Sequence, residues 1–336
     1  MAEVRSFAQY SARLLNKQRT ETRSVIDSAI AHASQHPRPD GSGIEKLLLW
    51  LEGHSNGGFY KLVVFDEGID HSLRLLHAID QHARSVELML RHDAVEGATL
   101  MTIYRAALEA TAQLCYLHDA MIPVQDLAAR NVAARLAFFH GNETTSLAFG
   151  QHMPADKTED IKSGVDGLQN FLRDNGVTLD EGRSPRNFAA WVQVDGSTRA
   201  NVRFNATDAI SRYIGGSWQY ALGSGATHAL GWLLPSYVPG IDEKLGSDHD
   251  IVVSVVAGFL DCADAIAKTA SAHSGYDTVA ARRKTLKRRT VLVANASGGQ
   301  PSPIDLETYE SRGPNWTPLE VPKSYGAAFG LRTRNG

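Results

Sequence analysis

Residues 217–234, SWQYALGSGATHALGWLL, read as a helix built mostly from apolar and small residues, broken on one face by Tyr220, Ser224 and His228 at four-residue spacing. That spacing stacks the three polar side chains along one side of a helix. A polar stripe on an apolar helix needs partners, because an unpaired polar group in the interior costs free energy. The partner face is found in residues 101–119, MTIYRAALEATAQLCYLHD, where Arg105, Glu109 and Gln113 repeat the spacing on a second apolar helix. Two such helices face to face predict an all-α protein, with a candidate polar site between them.

Working outward, residues 2–35 carry Phe7, Tyr10, Leu14, Val25, Ile26 and Ile30 at helical spacing. Ser42 is placed to cap a second helix over 43–52. The run from Tyr60 to Phe65 is compatible with a short strand or a buried helical turn, and Asp66 or Asp70 is expected to cap a long helix with Leu73, Leu76, Ile79, Ala83 and Leu88 inward. Further helices are predicted over 124–139, 155–173, 207–214 and 249–272. Residues 141–205 have the Gly, Pro, Asp and Ser density of an irregular insertion or lid. From residue 281 the chain turns basic and then rich in proline and glycine, so the organisation predicted is a bundle of about eight helices over 1–280 and a C-terminal tail over 281–336.

Composition sets outer limits. The 336 residues are 43% hydrophobic and 21% charged, with a net charge of −3 and a pI near 6.5, which excludes a general electrostatic attraction to nucleic acid or anionic membrane. The chain shows no run of about 18 apolar residues, so no membrane span is predicted. Cys115 and Cys262 lie in apolar helical contexts with no metal-ligand spacing and read as core residues of a cytoplasmic protein. No cofactor motif is read.

The segments YRAALEATAQLCYLHD, ARNVAARLAFF and YALGSGATH together resemble a family of helical bacterial proteins, common in actinobacteria and related to the DUF5677 group. Its members carry an Arg-x-x-x-Glu helix followed by a Tyr-x-x-x-Ser-x-x-x-His helix. The resemblance implies that Arg105, Glu109, Tyr220, Ser224 and His228 occupy shared polar positions, with Arg135 a further match. This chain has alanine after the histidine where glycine is usual. The family brings a fold and a polar site but no reaction.

As a cluster, Arg105, Glu109, Ser224 and His228 would bind a small anionic or carbonyl-bearing molecule, with His228 as acid or base, Glu109 orienting it and Arg105 balancing charge. The alternative is a closed network in a non-catalytic scaffold that fixes helix register. A different reading rests on Arg135 and His140, which match the Arg-x4-6-His pattern of HEPN-type ribonucleases and would act on RNA as a homodimer. Against it, five residues on a helix turn two side chains apart.

Three further signals are weighed. Asp66-Glu67-Gly68-Ile69-Asp70 has the shape of a magnesium-binding aspartate motif without its partner motif, so capping is the preferred reading. His71, His77, His82, His92 and His118 do not converge by helical geometry, so they read as solvated surface residues rather than metal ligands. The basic residues from Arg282 to Arg289 read as the solvated end of a helix.

Overall fold

The computed structural model describes residues 2–92, 96–149, 155–180, 189–215, Tyr220 and 248–297. Among these the protein is predominantly helical: α1 (Ala2–Gln35), α2 (Gly43–Gly53), α3 (Gly57–Tyr60), a π-helical stretch (Lys61–Asp66), α4 (Glu67–Arg91), α5 (Gly97–Leu117), α6 (Val124–Phe149), α7 (Ala155–Asp174), α8 (Ala206–Tyr213), α9 (Asp248–Ser274) and α10 (Val279–Ser297). A small antiparallel sheet, β1 (Thr178–Leu179), β2 (Trp191–Gln193) and β3 (Ala200–Asn201), lies between α7 and α8, in the order β1-β2-β3. The predicted all-α bundle is the architecture seen. No described helix is long and apolar enough to cross a membrane.

The apolar residues fall into two cores. In the first, α1, α4, α5 and α9 bury Leu15, Val86, Leu108, Val256 and Leu260 against one another, with α8 and α10 packed outside. The predicted inward face of α9, from Val252 to Ile266, is buried throughout. The second core joins α2, α3, the π-helical stretch and α6 to the sheet, around Tyr60, Val132, Leu136, Leu172 and Val192. A small bridge of Ile79, Leu114 and Ile266 lies where α4, α5 and α9 meet.

Local chemistry explains the element ends. Ser42 Oγ accepts the Glu45 N–H at 3.1 Å, as its position before an apolar run predicts. The carbonyls left open at the C-terminus of α5 are taken up from α6: Arg130 Nη1 donates to Tyr116 O at 3.0 Å and Asn131 Nδ2 to Leu117 O at 3.2 Å. These two bonds fix the turn at His118 and Asp119.

Several expectations are corrected. The predicted caps Asp66 and Asp70 make no cap: α3 runs through the π-helical stretch into α4, and the Glu67 N–H reaches back to Leu62 O. Ile30, Leu73 and Leu88, expected inward, are exposed, because α1 and α4 bury narrower stripes than their apolar residues allow. Residues 141–205 are not simply irregular. Trp191–Gln193 forms a strand, its Val192 and the following Val194 are fully buried, and the sheet packs on α6.

The basic run opens α10 instead of ending a solvated helix. Arg282 pairs with Asp264 at 2.9 Å, Arg288 with Glu21 at 2.5 Å and Arg289 with Asp261 at 2.6 Å, so three of the cations are committed inside the protein. The boundary read at residue 280 therefore falls at the start of a helix that packs on α9 and α1.

Candidate functional site

Where the two cores meet they leave a cavity of about 640 Å³, bounded by α1, α2, the π-helical stretch, α4, α5, α6 and α9. That volume is in the range of small-molecule sites. Its rim is apolar and open to solvent, with Ile30 at 51% and Leu73 at 47% exposure. Its inner wall is shut off, with Leu117 at 1% and Leu47 at 2%. Val64 and Phe65 of the π-helical stretch contribute to the wall, and such a stretch, looser than an α-helix, is often found beside functional sites.

Polar groups converge on that inner wall. Ser72 Oγ lies 2.6 Å from His118 Nε2 and 2.7 Å from Gly68 O. The hydroxyl has one proton, so it either donates to Gly68 O and accepts from a His118 Nε2–H, or donates to His118 itself. The His118 ring meets that of His273 edge-on at 4.5 Å. His273 Nδ1 is sealed from solvent with no hydrogen-bond partner among the described residues, and packs against Gly43, where a Cβ would come within 2.9 Å of it. Asn131 completes the group, its amide committed to the Leu117 and Leu127 carbonyls.

Burial holds both rings neutral. It pushes His118 well below the usual histidine range, helped by the neighbouring His273 and His71. It pushes His273 down to about 4. An apolar enclosure disfavours imidazolium, and among the described residues no acidic partner of either ring counters that.

This arrangement suits recognition better than acyl transfer. Ser72 is inside α4, where the backbone N–H groups belong to the helix, and the Asn131 amide is occupied. Within α4 no backbone N–H beside Ser72 is left for a developing oxyanion, whose stabilisation is the larger part of catalysis by a serine–histidine pair.

The residues singled out in the sequence distribute differently. Arg105 Nε donates to Glu109 Oε1 at 2.9 Å, Tyr220 Oη donates to the same oxygen at 3.0 Å, and the Arg105 guanidinium stacks 5.2 Å from the Tyr220 ring. Tyr220 and Glu109 thus meet across 111 positions of chain, as the facing stripes predict. The Glu109 side chain keeps 38% exposure, so the pair is less enclosed than a buried cluster requires. Ser224 and His228 lie outside the described residues.

Arg135 pairs with Glu67 at 2.8 Å and covers the Phe139 ring at 4.6 Å. It lines a separate cleft of about 400 Å³ with Asp66, Asp70, His71 and Arg74, and His140 is not among the residues of that cleft. Asp70 is paired with Arg74 at 2.6 Å. Among the described residues no three His, Cys, Asp or Glu side chains come together as a metal site.

The sequence reading missed Ser72, His118 and His273. The surface-histidine expectation is corrected for His118, which ends an apolar helix and points inward, and for His71, whose Nε2 is sealed from solvent. The available signal was position, since both cavity histidines close strongly apolar helices. Ser72 gave none.

The fold is a helical bundle with a solvent-open cavity of about 640 Å³ between its two cores. Compared with known proteins, the chain matches no family model, no curated protein and no solved structure.

Proposed function

We propose that this protein binds a mainly apolar small molecule in the cavity between its two cores, with Ser72, His118 and His273 as the polar end of the site. The observation that supports it most is the combination of an apolar volume of about 640 Å³ with Ser72, His118 and His273 along its inner wall. A preformed apolar cleft with a few convergent polar groups is the usual form of a ligand site.

The test is titration with a neutral fluorescent apolar probe, N-phenylnaphthylamine. Saturable binding at one site is expected, weakened about tenfold or more by Ile266→Trp, which fills the cavity from α9. Absence of saturable binding, or equal binding by a folded Ile266→Trp variant, overturns the reading.

The Tyr220 to Glu109 hydrogen bond favours a second reading, in which Arg105, Glu109, Ser224 and His228 form a polar acid–base site. Its support is that one end of the proposed facing stripes does meet. A double-mutant cycle between Glu109→Gln and His228→Gln is expected to show coupling above about 0.5 kcal/mol. Additive effects remove this site.

A further inference from the structure

Resting on the cavity reading above, we propose that the ligand is polar at both ends: an uncharged hydroxyl-like group lies inward against Ser72 and His118, an apolar body fills the cavity, and an anionic group such as a carboxylate lies outward at Lys61.

The charge distribution carries the orientation. Among the described residues lining the cavity, Lys61 is the one Lys, Arg, Asp or Glu, and it stands exposed on the π-helical stretch beside the apolar rim of Ile69 and Leu73. An anion at the outer end meets that ammonium and water together. The same anion at the inner end would lose its hydration and meet only neutral imidazoles, a hydroxyl and an amide, a costly exchange. The depressed titration of both histidines agrees, since neither supplies a positive charge near pH 7.

The inner wall nevertheless asks for a polar partner. Ser72 Oγ has one proton and two lone pairs, and its contacts with Gly68 O and His118 Nε2 take two of these three positions, which leaves a lone pair on the wall. In the cheaper tautomer of His273 the sealed Nδ1 is a bare acceptor and the proton is on Nε2, which makes the ring a donor. A wall that holds donors and acceptors of no net charge is matched by a group that both gives and takes a hydrogen bond. A hydroxyl can meet the remaining lone pair of Ser72, which a methyl end cannot; the sealed His273 Nδ1 is out of reach of a cavity ligand and carries no part of the match.

The experiment uses the full chain and displacement of bound N-phenylnaphthylamine by a matched series: dodecanoic acid, 12-hydroxydodecanoic acid and 1,12-dodecanediol. The hydroxy acid is expected to displace at about three- to tenfold lower concentration than the plain acid. His118→Phe, or His273→Leu should the first variant fail to fold, should abolish that advantage. Lys61→Met should weaken both acids about two- to fivefold and leave the diol unchanged. Equal displacement by the two acids in the wild-type protein overturns the proposal, as does a Lys61→Met effect that is absent or common to acids and diol. Failure of the probe itself to bind sinks the cavity reading, whereas binding without discrimination sinks only this inference.

Discussion

Ser72 Oγ and His118 Nε2 are 2.6 Å apart in space and 46 positions apart in the chain, a contact that ties the first turns of α4 to the C-terminus of α5. Ser72→Ala removes the hydroxyl and leaves the histidine nitrogen without its partner in an apolar enclosure. A loss of about 1–3 kcal/mol is expected, read from urea unfolding, with a shifted imidazole signal for His118 in NMR. A loss under about 0.5 kcal/mol would mean that water or a rotated ring replaces the serine.

The pH dependence of stability follows from the buried rings. His118 and His273 titrate below the ordinary histidine value in the folded protein, His273 at about 4. The unfolded chain therefore binds protons first as pH falls, and linkage makes stability rise with pH wherever it does. For His273 the contribution is complete above about pH 6.5, drains away between about 6.5 and 4, and is gone below; that of His118 is lost over a window that begins at the same upper pH. Urea midpoints measured across that window should fall steeply for the wild-type protein and less steeply for His273→Leu; parallel slopes would count against the buried neutral ring.

Gly258 marks the closest approach of α9 to α5. A Cβ built there would overlap the Tyr104 ring, which is fully buried. Gly258→Ala is thus expected to destabilise by about 1–3 kcal/mol despite its better helix propensity. Tyr104→Phe should not relieve the strain, since the ring atoms in the way remain, but Tyr104→Leu should show favourable coupling with Gly258→Ala. Simple additivity in that double-mutant cycle would refute the contact as the cause.

Asp261 and Arg289 form an ion pair at 2.6 Å with side chains 10% and 3% exposed. Breaking it by Asp261→Ala leaves a guanidinium charge inside the protein, at an expected cost of about 3–5 kcal/mol. Replacing both partners with Leu and Met removes the stranded charge along with the pair, and should recover most of that loss. Thermal unfolding of the single and double variants gives the comparison, and a double variant no more stable than the single one contradicts the desolvation argument.

The bundle was legible because its helices announce themselves locally. Apolar residues at 3.6-residue spacing placed α1, α5 and α9, the serine before Gly43 placed the start of α2, and glycine closed α8, where Gly215 has a φ of +79°. The stripe at Arg105 and Glu109 was legible because four-residue spacing puts side chains on one face of a helix; that Tyr220 reaches Glu109 across 111 positions is a matter of tertiary packing. The caps at Asp66 and Asp70 were misread because a π-helical stretch satisfies backbone groups that an ordinary helix start leaves open. The short strand at Trp191 was hidden by its length: three residues give a period-2 pattern too little room to stand out.

By itself the sequence determined which segments are helical and which side of most helices turns inward, since both depend on neighbours within one or two turns. It could not determine the cavity. Ser72, His118 and His273 belong to three helices, and what joins them is where the second core stops short of the first. That gap depends on how side chains of both cores fill space together, and their burial depends on it in turn. The tertiary structure decided that His118, read as a surface group, is instead a neutral ring on an apolar wall, and that His273, for which the sequence suggested no role, lies against it.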